Sequence, residues 1–291
     1  MTATDIKYSA TIDLVNRNNS HSLLHELVVE LEEPGMSLLE VGCSSGYLGS
    51  TLVAKGHHVT GVEPDKAASE AARLVLNEVF NGDIDAFFDA NPGRRFDAII
   101  LGDVLEHLVA PEAALRRCLE HLDADGAIVI SLPCVTHGSI RAMLLEGRWE
   151  YAELGLLDRT HLRFFSRNGV AELMTHAGLE IDRLHAIVVP IEDASERYGM
   201  ALRPQSIAAI EALAYDDDVF TFQFVLRAQR AGLEVSAADL LQRNLACPAR
   251  NVVPLPKPPG HRSPSQRLRL RLFNVLLKQI TKRRFRHGTR N

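Results

Sequence analysis

At 291 residues, with 46% hydrophobic and 24% charged side chains, the chain has the length and balance of a globular protein able to bury a sizeable core. Its net charge of −5 hides an asymmetry: residues 250–291 carry 12 Lys and Arg and no acid, whereas the first 249 hold 20 basic against 37 acidic side chains. An acidic body argues against a broad nucleic-acid footprint, and no apolar run reaches the roughly 18 residues of a membrane span.

The opening MTATDIKYSATIDLVNRNNSHS has no apolar signal core. Cys43, Cys118, Cys134 and Cys247 form neither a C-x-x-C pair nor Cys/His metal spacing. Reduced thiols, a cytoplasmic location and no metal site are the expectations.

In chain order, a helix is expected over 21–32, ended by Pro34-Gly35. Apolar, partly β-branched runs predict strands at 37–41, 58–62, 78–81, 96–101 and 127–131. Helices fall between them near 47–55, 65–76, 84–90 and 111–122, with Asp65 and Pro111 as starts and Gly56 and Gly126 as exits. Such alternation implies a parallel sheet covered on both faces.

After Ser131 comes a polar and aromatic insertion, PCVTHGSIRAMLLEGRWEYAELGLLDRTHLRFF. A helix at 166–177, a strand at 180–189, a helix at 204–213, a strand at 219–228 and a helix at 236–245 follow. The expected architecture is α/β, a Rossmann-like, mostly parallel seven-stranded sheet with helices on both faces. Its parts are an N-terminal lid and helix (1–35), a ligand-binding core (36–133), a substrate-covering insertion (134–165), completion of the sheet and C-terminal helices (166–246), and a Pro-rich linker with a basic tail (247–291).

The most informative stretch is LLEVGCSSGYLG, residues 38–49, a strand, a glycine-bearing turn and a helix start. Its glycines stand at 42, 46 and 49, not in the G-x-G-x-x-G spacing of a dinucleotide fold. Glu40 beside the turn would repel a pyrophosphate but suits a cationic ligand, so the sulfonium cofactor S-adenosyl-L-methionine is expected. Glu63 follows Gly42 by 21 positions, where an acid accepts ribose hydroxyls. Asp83 in NGDID is placed to meet the adenine amino group, and Gly102-Asp103-Val104 lie along the cleft. Ser44, Gly46, Tyr47, Pro64 and Ile84 complete this expected pocket. Asn18, Asn19 and His21 are expected to fold over it as a lid, with Tyr8 lining the site, although Asn19 or Ser20 simply capping the helix is the alternative.

LLEVGCSSGYLG, GVEPD, FDAIILGDVLEHL and LDADGAIVISLP together resemble the ordered motifs of class I S-adenosylmethionine-dependent methyltransferases. The segments KYSATIDLVNRNNSH and LDRTHLRFFSRNGVAELMTHAGLEI are similar to a subgroup found beside glycosyltransferases. The resemblance implies transfer of a methyl group to a small polar, sugar-containing acceptor, with S-adenosyl-L-homocysteine as product. N- or carboxyl-methylation of a natural-product scaffold and a non-catalytic assembly subunit remain open alternatives.

A hydroxyl acceptor must lose a proton, so a base with a pKa near neutrality is useful. His161 in LDRTHLRFF is the first candidate, because Asp158 and Arg159 beside it in an apolar stretch are costly unless paired or used. His107 in GDVLEHL and His137 in PCVTHGS are the others; the alternative is a packed histidine that stabilises the loop for His107 and a plain loop histidine for His137. Trp149 and Tyr151 fit either a sugar-stacking wall or core aromatics. In the tail, Leu268, Leu272, Leu276 and Ile280 recur at helical spacing among cations. That pattern suits an anionic membrane surface, or docking on an acidic body such as that of a second copy in a homodimer.

Overall fold

The computed structural model describes residues 12–213 and 217–251. Tyr8, most of the Pro-rich linker and the basic tail lie outside the described residues.

Helix α1 (Ser20–Val29) precedes four β-α units. These are β1 (Ser37–Val41) with α2 (Tyr47–Val53), β2 (His58–Glu63) with α3 (Lys66–Ala72), β3 (Glu78–Asn81) with α4 (Ile84–Ala90), and β4 (Phe96–Gly102) with α5 (Pro111–Glu120). A 3-10 turn, Leu105–His107, interrupts the link from β4 to α5. Then come β5 (Leu122–Pro133), α6 (Gly138–Leu145), α7 (Arg167–Ala177), β6 (Leu179–Val188), α8 (Ile191–Arg197), α9 (Pro204–Leu213), β7 (Thr221–Arg230), α10 (Ala237–Ala246) and β8 (Arg250–Asn251).

The sheet runs β3-β2-β1-β4-β5-β7-β6-β8. Strands β1 to β5 are parallel, and β7 lies antiparallel between β5 and β6. Strand alternation sends Leu39, Val41, Ile99, Leu101, Ile128 and Ile130 into one core layer. Leu38, Ala98, Ile100 and Val129 enter the other, beneath Leu23, Leu24 and Leu27 of α1. Burial on both faces is why these strands read as continuous apolar runs.

The direction of winding reverses between β1 and β4, and a parallel α/β sheet opens a crevice at such a point. Val41 pairs with both Val62 and Leu101, and Glu63 with Asn81, so four strand ends stand level on that edge. Helix caps follow the side chains expected of them: Asp65 accepts from Ala68 N, Pro111 opens α5, and Gly178 closes α7 at φ +78°.

Three expectations are corrected. The sheet has eight strands, because Arg250–Asn251, read as linker, adds a two-residue edge beside His185 and Ala186. Gly126 is no helix exit: α5 stops at Glu120, and Gly126 lies inside β5, where a Cβ would come 2.9 Å from the Asp97 carbonyl oxygen. Helices α6 and α8 arise in segments read as irregular.

Helix α10 is fastened by one buried amide. Asn244 Oδ1 accepts from Ile181 N at 2.8 Å, and its Nδ2 donates to Leu179 O and Thr175 Oγ1. Truncation removes the amide partner of Ile181 N and of Leu179 O, both away from water, while Thr175 Oγ1 keeps its bond to Ala171 O at 2.7 Å. Asn244→Ala should therefore cost about 2–4 kcal/mol in urea denaturation; a loss under about 0.5 kcal/mol would mean that solvent reaches these groups.

Candidate functional site

The level strand ends open into a cavity of about 1060 Å³. Gly42, Ser44 and Tyr47 line it after β1, Glu63 and Pro64 after β2, Asp83 and Ile84 after β3, and Gly102, Asp103 and Val104 after β4. Asn19 and His21 border it from the start of α1. Residues far apart in sequence thus meet as their motifs suggest.

Local geometry explains the residue types. Gly42 turns at φ +67°, and a Cβ there would stand 3.0 Å from Val104 Cγ2 at the cavity wall. Ser44 is also left-handed, at φ +50°, and its backbone N donates to Glu63 Oε2 at 2.9 Å. Glu63 Oε1 accepts from Asp65 N at 2.8 Å, so two turns converge on one carboxylate. Asp83 caps α4 through Ala86 N. Asp103, at φ +55°, accepts from Ser131 Oγ at 2.7 Å and Gln223 Nε2 at 2.9 Å. His21 Nε2 meets the Tyr47 hydroxyl at 2.9 Å, and burial lowers its pKa against the pull of Asp103.

The rest of the wall comes from the insertion and from β6, α8 and β7. His107 and His161 both line the cavity, with ring centroids 4.9 Å apart. His107 Nδ1 lies 3.2 Å from the Thr160 carbonyl and His161 Nδ1 lies 3.3 Å from that of Leu156. Burial, and then His107 beside it, lower the His161 pKa, so its ring is neutral at pH 7. Glu106 lies beside both. It is 1% exposed, and neither carboxylate oxygen has a hydrogen-bond partner. Burial drives its pKa well above the carboxylate range, and Asp103 adds to the rise. One ligand atom each from Glu106, His107 and His161 lies within 4.8 Å of the others, the one metal-capable group among the described residues. Tyr198 and Phe222, stacked at 5.2 Å, form an aromatic wall.

Several site expectations are corrected. Glu40 does not line the cavity: strand alternation turns it to the opposite layer, under α2, where a Cβ on Gly49 would sit 2.4 Å from its Oε2. Gly46 is also off the lining; at φ +78° it lets α2 pack on Ala72, Val75 and Leu76. His137 is fully buried outside the cavity. Its Nε2 faces Val189 O at 2.9 Å and its Nδ1 caps α6 at Ser139, with burial pushing the pKa down to about 4. Trp149 and Tyr151 are 38% and 46% exposed and line no part of the cavity. Arg159 pairs outward with Glu153 at 2.8 Å, so it forms no cluster with His161.

Asn19 both borders the cavity and caps α1 by accepting from His21 N and Ser22 N. Asn18, bonded both ways to the backbone of Val188, fixes the N-terminal segment against β6. Gln223, Glu106 and Tyr198 are lining residues that sequence reasoning did not select, and Asp158, named only as a neighbour of His161, lines the cavity too. Gln223 and Glu106 carried a readable signal, each a polar side chain within an apolar run, VFTFQFVL and DVLEHL.

Two features fit the sulfonium cofactor independently of its motif. Ser44 Oγ is buried at the cavity wall with no hydrogen-bond partner, and the Glu63 carboxylate faces the same space. A family model described as a methyltransferase domain matches residues 15–184, more than half of the chain. The chain belongs to this methyltransferase family.

It is an S-adenosylmethionine-dependent methyltransferase, EC 2.1.1.-. A ubiquinone biosynthesis O-methyltransferase of Aromatoleum aromaticum is 26% identical over 205 residues, covering 68% of this chain and 79% of the relative. One from Cereibacter sphaeroides is 23% identical over 208 residues, with 69% and 82% covered. Among solved structures, magnesium protoporphyrin IX methyltransferase from Synechocystis PCC 6803, with bound S-adenosylhomocysteine, superposes with TM-score 0.52 at 15% identity, covering 78% of this chain and 92% of that one. A methyltransferase from Archaeoglobus fulgidus gives 0.51 at 16% identity, with 73% and 95% covered. These two likenesses show the fold alone. No helix of the described residues is long and apolar enough to cross a membrane.

The buried carboxyl of Glu40 links the stability of this methyltransferase to pH through its raised pKa. Burial pushes its pKa from 4.5 up to about 8, opposed by the Gly49 N–H and reinforced by Glu63. The folded chain therefore holds this proton more tightly than the unfolded chain. Stability that is full below pH 4.5 declines as the pH rises towards 8. Glu40→Gln should remove that decline, gaining roughly 3–4 kcal/mol over the parent between pH 5 and pH 8 in urea denaturation. Parallel pH profiles for the two proteins would refute the assignment.

Proposed function

We propose that this methyltransferase O-methylates a small hydroxylated acceptor at the cluster of Glu106, His107 and His161. The observation that carries the reading is the pair of cavity-lining imidazoles, 4.9 Å apart, beside strand ends that suit the cofactor. Both named relatives are O-methyltransferases, which supports oxygen as the methylated atom. The aromatic wall of Tyr198 and Phe222 suits an acceptor with a ring, whether sugar or aromatic.

Each cofactor contact follows from the chemistry of the residue. Glu63 accepts from the ribose hydroxyls, Asp83 from the adenine amino group, and Ser44 Oγ from the amino-acid end, while Gly42 keeps the wall open. When bound, S-adenosylmethionine supplies a methyl group activated by its sulfonium. The chain aligns the acceptor, excludes water and draws off the hydroxyl proton at the histidine pair. Neutral His161 is suited to that task because its lowered pKa keeps a lone pair free at pH 7.

Glu63→Ala should abolish measurable S-adenosylhomocysteine binding in calorimetry; unchanged affinity would refute the cofactor assignment. His161→Ala should lower turnover by about 10²-fold while cofactor affinity stays within about threefold. Product NMR should place the new methyl on oxygen, and a methyl on nitrogen or carbon would overturn the acceptor class.

A further inference from the structure

The cluster that readies the hydroxyl poses an electrostatic question of its own. Glu106 is buried with both oxygens unpartnered, in a wall that also carries Asp103 and Asp158. A carboxylate in that position is costly unless a cation or a proton offsets it. No lysine or arginine is hydrogen-bonded to it.

The neighbouring histidines are arranged to donate lone pairs rather than protons. Each Nδ1 faces a backbone carbonyl, Thr160 for His107 and Leu156 for His161, and a ring nitrogen facing a carbonyl carries the hydrogen. Each neutral ring is thereby held with its free lone pair on Nε2. Metal-binding histidines use this arrangement: the outer hydrogen bond fixes the tautomer and makes the ligating nitrogen more basic.

We propose that Glu106, His107 and His161 hold a first-row divalent cation that binds the acceptor's hydroxyl oxygen. The inference rests on the proposed O-methylation and deepens it, with the cation rather than a free imidazole making the hydroxyl acidic. Two imidazoles and one carboxylate form a mixed nitrogen and oxygen set that suits Mn2+, Fe2+, Co2+ or Zn2+ better than Mg2+ or Ca2+. Three protein ligands leave positions open for the acceptor oxygen and water.

The reaction balances without an oxidant. The hydroxyl proton leaves to solvent, the oxygen lone pair forms the new O–C bond, and the C–S bonding pair stays on sulfur. Cation binding to the oxygen lowers the cost of the first of these events. The arrangement also gives the unpartnered oxygens of Glu106 a ligand.

The test uses the full-length, untagged protein, stripped with chelator and titrated with Mn2+ by calorimetry and electron paramagnetic resonance, and with Zn2+ by calorimetry. One ion per chain is expected. Glu106→Gln, His107→Ala and His161→Ala should each weaken binding at least tenfold, with S-adenosylhomocysteine affinity within about threefold of the parent. Glu106→Gln separates the alternatives, because the amide mimics a protonated carboxyl but is a poor cation ligand. Wild-type protein that takes up neither ion stoichiometrically would overturn the proposal, as would variants that bind as tightly as the parent. Absent ion uptake with intact cofactor binding and O-methylated product would remove the cation and leave the O-methyltransferase reading standing. Loss of S-adenosylhomocysteine binding in the parent protein would instead strike at the cofactor site.

Discussion

The Glu63 carboxylate holds two turns at once. Its oxygens accept from Ser44 N, in the turn after β1, and from Asp65 N, at the start of α3. Charge-assisted bonds of this kind are stronger than neutral ones and fix direction. They are available because parallel pairing brings the ends of β1, β2 and β4 level, so one side chain reaches both loops. The left-handed conformation of Ser44, uncommon for a residue with a side chain, sits within this bracing. The shape of the cavity at the ends of β1 and β2 depends on it.

Acidic groups recur along the same edge, and the structure treats each differently. Glu63 is satisfied by backbone, and Asp103 by Ser131 and Gln223. Glu40 is buried away from the cavity and does not line it. Glu106 is the one buried in the cavity wall with no partner for either oxygen. Since desolvating a carboxyl group costs free energy in every case, the group with no compensating hydrogen bonds is where an added ligand gains most.

Much of the fold was legible because its signals are local. The apolar runs of β1 to β5, the caps Asp65 and Pro111 and the exit Gly178 depend on a few neighbouring residues each. The residues that line the strand-end cavity were legible for a related reason: strand ends in a parallel sheet share one edge, so ordered motifs translate directly into a common pocket. Glu40 was misplaced because proximity to a turn in sequence does not say which face of β1 a side chain takes. His137 was misplaced because a loop histidine can cap a helix as readily as it can face a substrate.

By itself the sequence determined the parallel character of the first five strands and the cofactor class, since periodicity, turn chemistry and the spacing from Gly42 to Glu63 are properties of the chain read along its length. Only the tertiary structure decided which polar groups meet. His107 and His161 are 54 positions apart and become neighbours because the insertion folds back on the 3-10 turn, where the backbone carbonyl of Glu106 accepts from Leu162 N and Arg163 N. Whether a buried carboxyl is satisfied, protonated or ready for a ligand depends on distance and desolvation, and both are set by packing across the chain rather than along it.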